Sequence, residues 1–251
     1  MKMAYAFAAL GAAALLYGCG GGAPSGASAH KKEIPASLKQ PDGTSLLPLH
    51  QDDEWTYEVK ESVQGNGAPA GSSMELTFKV TKVEQVNGGT RATMDVKAGG
   101  TLVNKLVWEK NPKGLYQVAA GMKLVEFHPM QPALLFPMSK NPEFPWQGTG
   151  LMGVGDKAGS GKFTNVVVGP ELVDTAGMGQ QWAICTETEG TFSAKVKDKT
   201  GVERDAPGET QTYTWWTPKV GIVRISTKTG VSGIGVATQT FRIKSSVVKS
   251  D

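Results

Sequence analysis

Histidine, cysteine, charge of one sign and long apolar runs are all scarce in this chain, and each scarcity closes off a class of function. The only histidines are His30, His50 and His128. None has a second His, Cys or acid at metal-ligand spacing, so no metal site is read. The only cysteines are Cys19 and Cys185. If the first is modified, the second has no partner and the chain has no disulfide framework. The 26 Lys and Arg stand against 23 Asp and Glu, a formal charge of +3 over 251 residues. That balance argues against a nucleic-acid partner, which demands a clustered basic face. Apart from the first segment, no stretch keeps a 3.6-residue apolar period for three turns, so the body is not expected to be helical.

Signatures of catalysis are missing too. Gly153-Val154-Gly155-Asp156-Lys157-Ala158 is followed by a β-type run, whereas a dinucleotide loop needs a helix there. Gly159-Ser160-Gly161-Lys162 has Asp156 where a phosphate loop needs glycine, and Phe163 where it needs Ser or Thr. Both read as a loop. Asp52-Asp53-Glu54 lacks the alternating spacing of a calcium loop and reads as a solvated turn. No Gly-x-Ser-x-Gly elbow occurs. No catalytic residue and no cofactor is assigned, and the chain is expected not to be an enzyme. Carboxylate pairs brought together only in space, as in a hydrolase, stay open.

What the chain does have begins at its amino terminus. Lys2 precedes an apolar segment, residues 4–16, of 13 residues. That is too short for the ~20 residues of a spanning helix and suits the core of an export signal. Leu16-Tyr17-Gly18-Cys19 closes it and resembles the lipobox of bacterial lipoproteins. The resemblance implies lipid on the Cys19 sulfur, cleavage before it, and membrane lipid as a partner through the acylated residue. Ala27-Ser28-Ala29 is the alternative, an ordinary cleavage site. Removing residues 1–18 takes away one charge, Lys2, and leaves +2. Gly20, not aspartate, follows the cysteine. In a two-membrane bacterium this resembles the default for the outer membrane, on its periplasmic or surface face. Residues 1–18 are therefore read as a signal helix and 19–45 as a lipidated, flexible Gly/Ala/Ser/Pro tether.

The rest, residues 46–251, reads as an all-β domain, mainly antiparallel. The 32 glycines and 14 prolines favour many strands over long helices. Trp55, Tyr57 and Val59 alternate with polar residues, as do Leu76, Phe78 and Val80, then Ala92, Met94 and Val96. Asn87-Gly88 is a hairpin signal. A second strand series runs over 163–248, so two sub-sheets, 46–127 and 163–248, are expected. Between them, prolines 129, 132, 137, 142 and 145 punctuate an apolar segment. Proline cannot donate to a ladder, so 128–150 is read as an irregular crossing that covers one end of a sheet, and 148–161 as a glycine-rich loop. Cys185 lies in an apolar-polar alternation and is read as a small core residue.

Three sets of motifs carry a second resemblance. Pro48-Leu49 leads to Glu54-Trp55-Thr56-Tyr57-Glu58-Val59. Gly169-Pro170-Glu171-Leu172-Val173 leads to Gly190-Thr191-Phe192-Ser193-Ala194-Lys195-Val196. Thr214-Trp215-Trp216-Thr217-Pro218 leads to Val220-Gly221-Ile222-Val223-Arg224. Over residues 46–230 this order is similar to uncharacterised bacterial lipoproteins with an antiparallel half-barrel or open-barrel domain. The resemblance implies a large curved sheet and no active site. A more distant likeness is to half-barrel carriers whose concave face holds acyl chains. Trp215 and Trp216 are strand neighbours and point to opposite faces. One enters the core, and the other needs a cover from the chain or from a partner. Trp146, Trp215 and Trp216 are the candidate ligand or partner surface. The expected role is that of a membrane-anchored envelope lipoprotein with a structural or protein-interaction domain. The alternative is a carrier or binding module for a lipid or other apolar ligand.

Overall fold

The computed structural model describes Leu38 and residues 43–64, 71–86, 88–151, 158–197, 202–232 and 235–249. The expected signal helix, Cys19, and all of the tether short of residue 43 save Leu38 lie outside the described residues. The described chain forms β1 (Glu54–Gln64), β2 (Ser72–Val86), β3 (Gly89–Ala98), β4 (Thr101–Asn111), β5 (Gly114–Ala120), β6 (Val125–Leu135), β7 (Glu143–Leu151), β8 (Ala158–Asp174), β9 (Gln180–Lys197), β10 (Glu203–Thr217), β11 (Gly221–Val231) and β12 (Gly235–Val247). Every strand runs antiparallel to its sequence neighbours, and β12 returns to pair with β1. The result is a closed twelve-strand barrel.

Closure corrects the expectation of a half-barrel or open sheet. The two end strands of the meander pair from Glu54↔Val247 to Gln64↔Val236. Each end strand thereby satisfies the other's row of N–H and C=O groups, so neither end of the meander is a free edge strand. Both strand series stand in this one sheet, joined through β6, β7 and β8.

The alternation read from the sequence sets the two faces. In β2, Leu76, Phe78 and Val80 are buried while Glu75 is exposed and Thr77 and Lys79 half-buried. Outside, unlike charges stand opposite each other across strands: Arg91 with Glu109 at 2.7 Å and Lys195 with Asp205 at 2.7 Å. Glu54, Glu58, Lys60, Glu75, Lys79, Arg91 and Lys97 stud the outer wall of β1–β3. That wall faces water, because a membrane barrel needs an apolar outer band ~25 Å tall.

Residues 128–150 are not a crossing over the sheet. They are most of β6, a 3-10 turn at Met138–Lys140, and most of β7, all within the barrel wall. The prolines do break a ladder, most of all on one side. β6 and β7 share a single pair, His128↔Thr149, while β7 holds β8 along its length and β6 holds β5 through residues 125–126 and 131–135, with register shifts between. The expected glycine loop is likewise partly strand: residues 148–151 end β7 and 158–161 begin β8. Residues 152–157 lie outside the described set.

One end of the barrel is covered from within the chain. Leu46, Leu47 and Leu49 of this cover are buried. Residues 43–47 reach the ends of β4, β6 and β10: Lys110 Nζ donates to Leu47 O, Phe136 packs on Gly43, and Lys219 N donates to Ser45 O. The β10–β11 turn leans inward, held by Trp55 Nε1 on Val220 O and by Tyr57 OH on Ile222 O at 2.7 Å.

Candidate functional site: the barrel lumen

The inner face is not uniformly apolar. Register places Glu61 of β1, Gln239 of β12, Thr227 of β11, Thr212 of β10, Thr188 of β9 and Asn165 of β8 side by side in one row. Asn165 Nδ2 then donates to Pro132 O of β6 at 2.7 Å, reaching past β7. Gln131 of β6 faces Gln117 of β5 in register. Polar side chains thus girdle the lumen on eight strands. Several satisfy one another. Gln239 Nε2 donates to Glu61 Oε1 at 3.0 Å, Thr212 and Thr227 share a hydroxyl hydrogen bond, and Trp216 Nε1 donates to Thr186 Oγ1 at 2.9 Å.

Beside this belt lies a cavity of about 110 Å³. Its apolar wall is Tyr57, Phe78, Trp108, Trp216, Ile225 and Phe241, and its polar wall includes Gln117, Gln131, Thr188 and Thr212. No Asp, Glu, Lys or Arg lines it. Burial holds the Tyr57 hydroxyl far above the usual phenol range, so it stays protonated and acts as a donor. Four buried side-chain atoms of the inner face have no protein partner: Gln117 Nε2, Trp146 Nε1, Asn165 Oδ1 and Thr210 Oγ1. Among the described residues no group of three His, Cys, Asp or Glu is placed to hold a metal ion.

The three tryptophans singled out in the sequence do not meet. Trp216 lines the lumen. Trp146 also faces inward, stacked on Phe163 at 5.1 Å between centroids. Trp215 is on the outer face, yet it is only 8% exposed. Arg224 lies 4.9 Å over its ring, Glu171 accepts from its Nε1 at 2.7 Å, and Tyr213 sits 6.0 Å away. The β10–β11 register shifts between Trp215 and Trp216. The cover on Trp215 therefore comes from β8 and β11, not from residues 128–150. The far end of the β8–β9 hairpin continues that cover to β12, where Ala176 N donates to Ile243 O at 2.8 Å and Arg242 donates to Thr175 O at 2.9 Å.

Cys185 lies under Trp215, its register partner, and is 1% exposed. Burial, and then the Glu171 and Glu187 carboxylates, push its thiol up to about 12 against a smaller opposing effect of Arg224. It is no nucleophile at neutral pH. Burial and the Glu187 carboxylate likewise raise the Tyr213 hydroxyl.

The polar belt was missed in the sequence. Its signal was there in β10, where Thr210, Thr212 and Thr214 alternate with Glu209, Gln211, Tyr213 and Trp215. Read by hydrophobicity, the aromatic face turns inward; the register turns the threonines inward.

No family model matches the chain, and no curated protein matches it. Among solved structures, one neighbour is a protein from Bacteroides fragilis assigned as exported, with a YMCC-like fold. It matches at TM-score 0.41 and 11% identity over 81% of this chain and 99% of its own. Another, from Parabacteroides distasonis, is assigned as a lipoprotein and matches at TM-score 0.44 and 16% identity over 82% of this chain and 100% of its own.

Proposed function

We propose that this chain is a lipid-anchored protein of the cell envelope whose barrel is a non-catalytic body for contacts with other envelope proteins. One observation supports this above the others: the outer wall of β1–β3 is charged and cross-paired. Such a wall offers bilayers nothing to hold, so a membrane attachment has to come from a covalent tail, and Leu16-Tyr17-Gly18-Cys19 is the stretch built to carry one. One acyl chain holds weakly and two or three hold durably, at about 0.8 kcal/mol per buried methylene. With Gly20 after the cysteine, the outer membrane is the proposed destination in a two-membrane source.

Between Cys19 and Leu38 the chain can span at most roughly 65 Å, at ~3.3–3.6 Å per residue. That length lets the barrel stand clear of the head groups. A lipid-carrier role is the weaker reading. The belt cavity of about 110 Å³ lies well below the ~300 Å³ floor of ordinary ligand pockets, so an acyl chain would have to use the wider opening of about 1490 Å³ bordered by His128, Thr149, Phe192, Gly208 and Val236.

The deciding experiment compares wild type with Cys19→Ala. Wild-type protein should sediment with membranes through a high-salt wash, and its amino-terminal peptide should carry the mass of a lipidated cysteine. The variant should move to the soluble fraction. Firm membrane retention of Cys19→Ala, or an unmodified peptide beginning at His30, would overturn the anchor.

A further inference from the structure

A barrel built only for stability would fill this level of its lumen with apolar side chains, as β2, β3 and β4 do with Phe78, Met94, Leu106 and Trp108. Instead seven strands contribute hydroxyls and amides and β1 the Glu61 carboxylate, and the chain leaves part of their hydrogen-bonding capacity unused. Gln117 is the telling residue. It is 2% exposed, it lines the cavity, and its Nε2 has no protein partner. Its register neighbours are Trp108 on one side and Gln131 on the other. The amide therefore stands at the boundary between the aromatic wall and the polar wall. A buried donor left unpaired is costly, and an apolar leucine of similar size would have avoided that cost.

The lining fixes the chemistry of an occupant. No charged side chain borders the cavity, and an ion desolvated there would find no counter-charge in the lining. The volume, about 110 Å³, is somewhat smaller than the ~150 Å³ apolar cavity that admits benzene. That size limits an occupant to at most one ring and excludes a chain. We propose that the lumen binds one small uncharged molecule: a compact ring seated against Trp108, Trp216 and Phe241, bearing an oxygen that accepts from Gln117 Nε2. Simple phenols and ring alcohols are this class. The way in is the β6–β7 seam. β6 supplies Gln131, Pro132 and Ala133 to the lining and shares one register pair with β7.

Phenol itself is the probe, titrated into the purified full chain. Trp108 and Trp216 report through fluorescence, and calorimetry gives the stoichiometry. Saturable one-to-one binding is expected. Gln117→Leu should weaken it about tenfold, the worth of one hydrogen bond, with a thermal midpoint unchanged or raised. Ala133→Leu should fill the cavity and abolish binding with the fold intact. Sodium hexanoate, charged at neutral pH, should not compete. Non-saturable phenol, or equal affinity in Gln117→Leu, overturns the proposal. So does a Gln117→Leu midpoint that falls while wild type ignores phenol, since the amide then serves internal water alone. Should Gln117→Leu fail to fold, undiminished phenol binding in Ala133→Leu is the overturning result.

Discussion

At the scale of single residues, Cys185 shows how burial sets chemistry. Its thiol is pushed from an ordinary 9.0 up to about 12, chiefly by burial. The sign of the linkage follows. Below pH 9 the thiol is neutral folded and unfolded, and its contribution to stability is complete. Between 9 and about 12 the unfolded chain ionises while the folded chain resists, so that contribution is lost as pH rises. Two outcomes are expected. A maleimide at pH 8 should label Cys185 in urea but not in the native barrel. Cys185→Ala should also show a shallower loss of thermal midpoint between pH 9 and 11 than wild type. Labelling of the native protein at the unfolded rate would place the thiol in solvent and refute this account. The sequence showed a cysteine within an apolar-polar alternation, and the structure buries it. What the sequence could not show is the side on which it is buried, because the cover on the outer face is the Trp215 indole, brought over it by pairing with another strand.

At the scale of elements, local pattern located the strands but not their lengths or seams. In sequence a glycine inside a strand pattern, such as Gly190, weakens a strand and marks a break or bulge. In the barrel β9 runs unbroken from Gln180 to Lys197. Gly190 is there because the Phe163 ring lies on it and a β-carbon would collide with that ring. The prolines of 128–150 were visible, and their loss of ladder bonds is real. That loss falls mainly between β6 and β7, a fact of pairing that composition does not contain. The seam has a consequence for dynamics, since few backbone bonds hold it. Asn165 is its internal brace, donating to Pro132 O at 2.7 Å. Asn165→Ala should cost about 1–2 kcal/mol, the price of one buried hydrogen bond and its orphaned carbonyl. In hydrogen exchange the added opening should appear first in the amides of β6 and β7. Exchange rising equally in β2 and β3 would mean that the seam is no weaker than the rest of the wall.

At the scale of the whole molecule, closure is what the sequence least disclosed. An open sheet and a closed barrel share the same alternation, turns and strand order; they differ only in whether β1 meets β12, nearly the whole domain apart. The residue that fastens this meeting was read as part of a solvated turn. That reading suits Asp52, whose side chain is 55% exposed, but Asp53 is fully buried. Asp53 Oδ2 accepts from His50 N at 2.8 Å and Oδ1 accepts from Lys249 N at 2.9 Å, while its own carbonyl accepts from Val80 N at 2.9 Å. One carboxylate thus joins the segment entering β1 to the chain leaving β12, and its backbone joins both to β2. Bonds to a charged group contribute about 1.5–3 kcal/mol each, so Asp53→Ala should lower unfolding stability by about 3 kcal/mol. If the ring of strands closes as one cooperative unit, the urea transitions of the variant, followed by far-UV dichroism and by tryptophan fluorescence, should shift down together and stay coincident. A barrel that unzips at β1–β12 before the remainder melts would instead separate the two curves. The tryptophans sit on both sides of that junction, with Trp55 at it and Trp146 across the lumen, so a gap between the curves would reveal partial opening.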